Sequence, residues 1–96
     1  MSERRIAREE RGGKGRYVLL ENGAQAELTY RLAPPGRITA DHTGVEDGLR
    51  GTGAGAALVE RMVADARAAG LKIVPRCSFV AAQRAKHPDW ADAFAD

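Results

Sequence analysis

The clearest pattern in the chain is a strict alternation of apolar and polar side chains over residues 24–32, AQAELTYRL. A period of two is typical of a strand that buries one face and leaves the other in water. Residues 16–21, RYVLLE, have the composition of a preceding strand, and a weaker pattern around Ile6 predicts an edge strand. Asn22-Gly23 suits the two positive-φ positions of a type I′ turn, which predicts a hairpin.

A further strand is predicted over residues 37–45, RITADHTGV. Simple alternation places His42 on the same face as Ile38 and Ala40. Gly44, near the end of this strand, predicts a bulge or a close backbone approach.

After the glycines of the middle of the chain, the pattern changes from a strand period to a helical one. Val59, Met62, Val63 and Ala66 fall at positions i, i+3, i+4 and i+7, which predicts an amphipathic helix. Gly70 is placed to end that helix.

A short apolar segment at 71–75, LKIVP, follows the helix. The strand–helix–strand spacing predicts that it runs parallel to the strand at 37–45. Ser78 is placed to cap a final helix over residues 79–86, and Pro88 to stop it.

The predicted fold class is α+β, in a single domain over residues 1–96. Its sheet is mixed and mostly antiparallel, with a β-α-β crossover and a C-terminal helix. The tail aromatics Trp90 and Phe94 are expected to pack back onto this domain.

Composition narrows the class of protein. The 96 residues are 44% hydrophobic and 29% charged, as in folded globular chains, and the net charge is only +2. That balance lacks the clustered basic and aromatic residues of a nucleic-acid-binding protein. Neither a membrane-spanning segment nor a secretory signal is predicted. The single cysteine, Cys77, cannot form an intramolecular disulfide, which favours a reducing, cytoplasmic location.

The segment most suited to binding a ligand is residues 45–55, VEDGLRGTGAG, between the strand and the helix. Gly51, Gly53 and Gly55 directly precede the first helical turn. Glycines allow sharp turns and carry no side chain, so successive N–H groups can point at one ligand. The unpaired N–H groups of the helix N-terminus add to this cradle, which suits a phosphate or pyrophosphate.

Two common phosphate motifs fail here. The P-loop spacing exists at Gly48 and Gly53, but Ala54 stands where the lysine is required. The dinucleotide pattern is formally met by Gly51, Gly53 and Ala56. However, antiparallel strands precede it and no ribose-binding acid follows the next strand.

A third pattern, Arg-x-x-Gly-x-Gly, is present as Arg50, Gly53 and Gly55 at the start of the helix. Here the chain resembles the GNAT family, the GCN5-related N-acetyltransferases, in which this motif holds the pyrophosphate of acetyl-CoA. It is most similar to a small, minimal GNAT-like subfamily, and the match covers roughly residues 24–90. The shared segments are H-T-x-V at 42–45, L-R-G-x-G at 49–53, V-P-x-C-x-F-V at 74–80 and H-P at 87–88.

The resemblance implies a site built around the loop. The edge of the strand at Thr43 would pair with the pantetheine arm of acetyl-CoA, and a backbone N–H near His42 or Thr43 would polarise the thioester carbonyl. The thioester would lie in a cleft between this strand and the segment at 71–75. Two roles are equally open for Arg50: contact with a phosphate, or stabilisation of the loop. The implied cofactor-binding residues are Thr43, Gly44, Val45, Arg50, Gly51, Thr52, Gly53, Ala54, Gly55 and Ala56.

Two departures from the family pattern affect the expected reaction. The helices that build the acceptor site in longer members have no counterpart, because only short turns join the first strands. The acceptor, a small amine or a protein or peptide, is therefore unassigned, and a homodimer or a protein partner is one way to complete its site. Gln83 stands where many members have a tyrosine general acid, and an amide cannot supply that proton.

The candidate catalytic residues are His42 and Cys77. Imidazole suits deprotonation of an acceptor ammonium, but a place beside Ile38 and Ala40 equally suits a packed structural histidine. Cys77 follows the strand that flanks the cleft and is a candidate nucleophile or leaving-group acid, or simply a buried thiol. These two residues and His87 lack a short metal-ligand spacing, so no metal is predicted.

The predicted function is acetyl-CoA-dependent N-acetyl transfer in which an amine attacks the thioester directly. The alternative is a non-catalytic acyl-CoA-binding sensor or interaction module, which the missing acceptor helices and Gln83 favour. A third interpretation is a structural domain whose glycines serve only packing.

Overall fold

The computed structural model describes residues 4–95 of the chain. Its sheet has five strands that lie side by side in sequence order. The first four pair antiparallel, and the fifth pairs parallel to the fourth, which confirms the α+β class and the β-α-β crossover. The strands are β1 Ile6–Arg11, β2 Lys14–Glu21, β3 Ala24–Ala33, β4 Arg37–Val45 and β5 Lys72–Pro75.

Two α-helices follow the antiparallel strands: α1 spans Ala54–Ala69 and α2 spans Ser78–Lys86. Short 3₁₀ turns cover Asp47–Leu49 and Pro88–Ala93. The predicted cap of the last helix is wrong by one residue, because Cys77 is the N-cap of α2 and Ser78 is its first helical residue. Within residues 4–95, no helix has the length and apolarity needed to cross a membrane.

The helices and the tail share one apolar core with one face of the sheet. The alternating residues of β3 point into this core, as predicted, and meet Leu58 and Met62 of α1. Trp90 and Phe94 complete it from the tail, as expected. The opposite face of the sheet is open and carries Leu20, which is 66% exposed.

A β-bulge in β4 changes which side chains face the core. Tyr30 of β3 pairs with Ala40, and the preceding residue, Thr29, pairs with His42. Asp41 is therefore the extra residue on β4 and has no partner of its own in the ladder. Beyond it, His42 joins Thr29 on the open face of the sheet.

The bulge corrects two predictions made from simple alternation. His42 does not share the buried face of the strand, and the irregularity lies at Asp41 rather than near Gly44. Because the phase of the strand shifts at the bulge, Thr43 pairs with the buried Leu28 and turns toward the helices. One inserted residue therefore sends His42 and Thr43 to opposite faces, close to the glycine loop.

Gly15 of β2 lies against the Tyr30 ring, and a Cβ there would overlap that ring and stand 2.7 Å from the Glu9 carbonyl oxygen. Gly15→Ala is expected to lower the free energy of unfolding by about 2 kcal/mol, because a tightly packed ring must move. Urea denaturation followed by circular dichroism measures this. Lys14→Ala, at the exposed neighbour, is the control and should change stability by less than about 0.5 kcal/mol. Equal stability of both variants would contradict the close packing.

Candidate functional site

The two parallel strands separate before β4 ends. Their last pair is Ala40 with Pro75. The Ala40 carbonyl then accepts the N–H groups of both Arg76 at 3.1 Å and Cys77 at 3.0 Å. This turns the chain away from β4 and into α2, while β4 continues to Val45 with no strand on that side in the described part of the chain.

The separation leaves an unpaired strand edge at Thr43 and Val45. Glu46 donates its N–H to the Gln25 carbonyl on β3 at 3.0 Å. Because backbone groups alternate in direction along a strand, the N–H groups of Thr43 and Val45 point away from β3, toward the separated side. An edge of this kind can pair with an extended ligand as it would with another strand.

A cleft of about 470 Å³ lies between this edge, the glycine loop and α2. Leu49, Phe79 and Gln83 contribute to its wall, although none of the three was among the predicted binding residues. The predicted residues that line it are Thr43, Val45, Arg50, Gly51, Gly53, Ala54, Gly55 and Ala56. Gly44 and Thr52 do not line it.

The three loop glycines are required for two different physical reasons. Gly51 and Gly53 adopt left-handed conformations, with φ of 78° and 83°, which other residues rarely tolerate. A Cβ on Gly55 would lie 2.7 Å from the Phe79 ring. Gly55 is therefore required for helix packing, because it allows α1 to approach α2 closely, and not for the shape of the turn.

The loop presents several backbone N–H groups for which the described part of the chain supplies no acceptor. Thr52 is satisfied locally, since its N–H and its hydroxyl both bond to the Leu49 carbonyl, at 3.2 and 2.6 Å. Within residues 4–95, no acceptor is present for the N–H groups of Gly51, Gly53 and residues 54–56. These donors and the positive end of the α1 dipole together form an anion cradle.

Two arginines flank this cradle. Arg50 pairs with Asp47 at 3.1 Å, and both side chains are largely exposed. Arg4, which precedes β1, donates Nη2 to the Thr52 carbonyl at 2.6 Å and pairs with Glu21 at 3.3 Å. No sequence pattern links Arg4 to the loop, because the two are 48 residues apart and meet only in the folded chain.

Cys77 is buried behind the cleft and does not line it, but its sulfur lies 3.4 Å from the hydroxyl oxygen of Thr43, which does. Burial raises the pKa of the thiol. The Thr43 hydroxyl and the nearby N–H groups of Val80, Phe79 and Thr43 together lower this pKa by more than burial raises it, so the net shift is downward. The N–H groups at the start of α2 approach the sulfur without closing a capping hydrogen bond. This environment favours the thiolate.

His42 is not brought together with Cys77, because it projects from the open face of the sheet. Asp41 is engaged by Arg31 through two hydrogen bonds of 2.8 and 3.1 Å, so no His–Asp pair forms. Gln83 is 8% exposed and lines the cleft, where its amide can donate a hydrogen bond but not a titratable proton. Among the described residues, no three His, Cys, Asp or Glu side chains group as metal ligands.

The separated strands, the unpaired edge and the glycine loop at a helix N-terminus together define an acyltransferase-type fold. The family model of the GCN5-related N-acetyl-transferases matches residues 16–93, and the chain belongs to this family. Acyl transfer is the activity that this membership supports in general terms.

A solved structure agrees with the family assignment. The solution NMR structure of a GCN5-like, presumed N-acetyltransferase from Staphylococcus aureus is 36% identical in sequence, with a TM-score of 0.69. The similarity covers 93% of this chain and 87% of that one. No curated protein matches the chain. The predicted family and fold are thereby confirmed.

The Cys77 thiol is expected to ionise at a lower pH than an ordinary cysteine. Thr43→Val removes the hydroxyl that stabilises the thiolate, so it should raise the pKa of Cys77. Thiolate absorbance in the ultraviolet, measured against pH with Cys77→Ser as background, follows this ionisation. Ser78→Ala is the control and should leave the curve in place. A curve unaffected by Thr43→Val would contradict the assigned contact.

Proposed function

We propose that this protein binds acetyl-CoA in the cleft and transfers the acetyl group to an amine. The observation that carries the proposal is the row of N–H groups at Gly51, Gly53 and residues 54–56, which have no acceptor within residues 4–95 and border a cleft of about 470 Å³. A pyrophosphate matches these donors, and the cleft is within the size range of small-molecule sites.

The pantetheine arm of acetyl-CoA extends from the cradle along β4. Its amide groups pair with the backbone of Thr43 and Val45, which the separation of the strands leaves open. Arg50 is exposed and can turn from Asp47 to the phosphates. At the end of the arm, the Thr43 N–H stabilises the negative charge that develops on the thioester oxygen.

The environment of Cys77 supports a covalent route over direct attack. Its thiolate attacks the carbonyl carbon, the bond from that carbon to the CoA sulfur breaks, and the CoA thiolate takes a proton from solvent. The acetyl group then resides on Cys77 until an amine displaces it and regenerates the thiolate. Gln83 lacks a titratable proton, and this route requires none from it.

The acceptor amine approaches from the open face of the sheet and reaches the acetyl group through the gap that the separation of β4 from β5 leaves beyond Ala40. His42 projects from this face, next in sequence to Thr43, and accepts the proton of the attacking amine. In the described part of the chain no helix covers this face. A small amine or an exposed amine of a peptide can therefore reach it without displacing part of the protein.

A non-catalytic acyl-CoA sensor is a second candidate. Gln83 in place of a general acid and the uncovered acceptor side favour it. It requires the same binding of acetyl-CoA but neither an acetylated cysteine nor turnover.

Ala56→Asp tests the cradle, because it places a carboxylate where the pyrophosphate is proposed to bind. We expect acetyl-CoA affinity, measured by calorimetry, to fall by about 100-fold or more from like-charge repulsion. The fold should remain intact, since an acidic residue in the first turn of a helix is favourable. Ala56→Asn, of nearly equal size, is the control and should weaken binding far less. Equal losses in both variants would indicate a steric effect, and no loss would place the ligand elsewhere.

Substitution of Cys77 and substitution of His42 are expected to block different steps of the proposed reaction. After mixing with acetyl-CoA and acid quenching, intact-mass spectrometry should show one acetyl group on the wild type and none on Cys77→Ala. His42→Ala should still acquire the acetyl group but turn over amines about 100-fold more slowly. Turnover by Cys77→Ala would favour direct attack, and binding with neither acetylation nor turnover would favour the sensor.

A further inference from the structure

A second cavity adjoins the glycine loop, and we call it the outer groove. It measures about 630 Å³ and shares Gly53 and Ala56 with the cleft, so the loop lies between the two spaces. Of the predicted binding residues, Thr52, Gly53 and Ala56 line it. Its distinguishing lining residues are Arg4, Ala57, Arg61, Ala64, His87 and Trp90.

The floor and walls of the outer groove come from different parts of the chain. Ala57, Arg61 and Ala64 follow one another along a single face of α1 and form the floor. His87 and Trp90 form one wall, and their rings stack with centroids 3.8 Å apart and an interplanar angle of 11°. The small side chains of Ala57 and Ala64 beside an aromatic wall suit a planar base.

Arg4 supplies a cation where the groove meets the loop. Its Nε pairs with Glu21 and its Nη2 bonds to the Thr52 carbonyl, which fixes the guanidinium in place. The remaining nitrogen, Nη1, lies 4.0 Å from the point where a Cβ on Gly53 would stand. A guanidinium held in this way is suited to bind a phosphate.

Arg61 brings a second guanidinium to the groove. Its Nε bonds to Asp65 and its Nη1 donates to the Ile6 carbonyl at 3.1 Å. Glu60 is the acidic residue among the lining side chains. Glu21 and Asp65, which pair with the two arginines, do not line the groove, so the lining itself carries two guanidiniums and one carboxylate. The groove therefore combines an aromatic wall with cations, which are the features that a purine nucleotide requires.

We infer that the outer groove holds the adenosine 3′-phosphate end of CoA, with Arg4 as a ligand of the 3′-phosphate. This inference rests on the proposed function. CoA extends in two directions from its pyrophosphate. If the edge of β4 takes the pantetheine arm, the nucleoside arm leaves the loop through the space that shares Gly53 and Ala56. Its purine then packs against the wall formed by His87 and Trp90.

Calorimetry with acetyl-CoA and with its 3′-dephospho form tests the role of Arg4. We expect the wild type to bind acetyl-CoA about 10-fold more tightly, as for one charge-assisted hydrogen bond to a phosphate. Arg4→Gln should bring the two affinities together. Arg5→Gln, an identical charge change at the exposed neighbour outside the groove, is the control and should keep the 10-fold ratio. The ratio isolates the 3′-phosphate, since a disturbed loop would weaken both ligands alike.

The fluorescence of Trp90, the only tryptophan of the chain, reports occupation of the groove without any substitution. Saturating acetyl-CoA should change its emission, whereas S-acetyl-4′-phosphopantetheine, which lacks the nucleoside, should not. If acetyl-CoA binds but its dephospho form binds equally well and the Trp90 emission stays constant, the groove is not the nucleotide site and the proposed function stands. If acetyl-CoA does not bind at all, both proposals are overturned.

Discussion

The separation of β4 from β5 at Ala40 is the constraint on which the candidate site depends. One carbonyl, that of Ala40, accepts both N–H groups at the start of the turn into α2, so the parallel ladder cannot continue. The bulge at Asp41 rotates the rest of β4 and brings Thr43 to the helix side. Within residues 4–95, the outward-pointing backbone groups of Thr43 and Val45 have no strand partner. Such groups favour any ligand that can satisfy them.

Helix packing then places two helix N-termini at the ends of the same cleft. Gly55 allows α1 to lie against Phe79 of α2, and both residues line the cleft. The N-terminus of α1 faces the loop, and that of α2 faces the sulfur of Cys77. Both termini carry partial positive charge, so one end favours a bound anion and the other favours the thiolate. The proposed binding and the proposed chemistry therefore depend on the same backbone feature.

Contacts between the first strands and α1 also affect the geometry of the site. Arg8 of β1 lies over the Tyr17 and Tyr30 rings and donates to the Tyr30 hydroxyl at 2.8 Å. Tyr17 donates to Asp65 of α1 at 2.9 Å, and burial is the main cause that raises the pKa of this tyrosine, which keeps it a donor. These contacts hold β1 against α1. They therefore fix the start of the strand from which Arg4 reaches the loop.

Most of the strands and helices, and the position of the glycine loop, could be predicted from the sequence because they depend on local interactions. The alternation of residues 24–32, the Asn22-Gly23 turn and the glycines before α1 depend on neighbours within a few positions. Tertiary structure alone decided the face of His42, because a bulge depends on the register with β3. It also decided the pairing of Cys77 with Thr43, which are 34 residues apart, and of Arg4 with the loop. Periodicity records which face of an element is buried, but not which distant side chain meets it there.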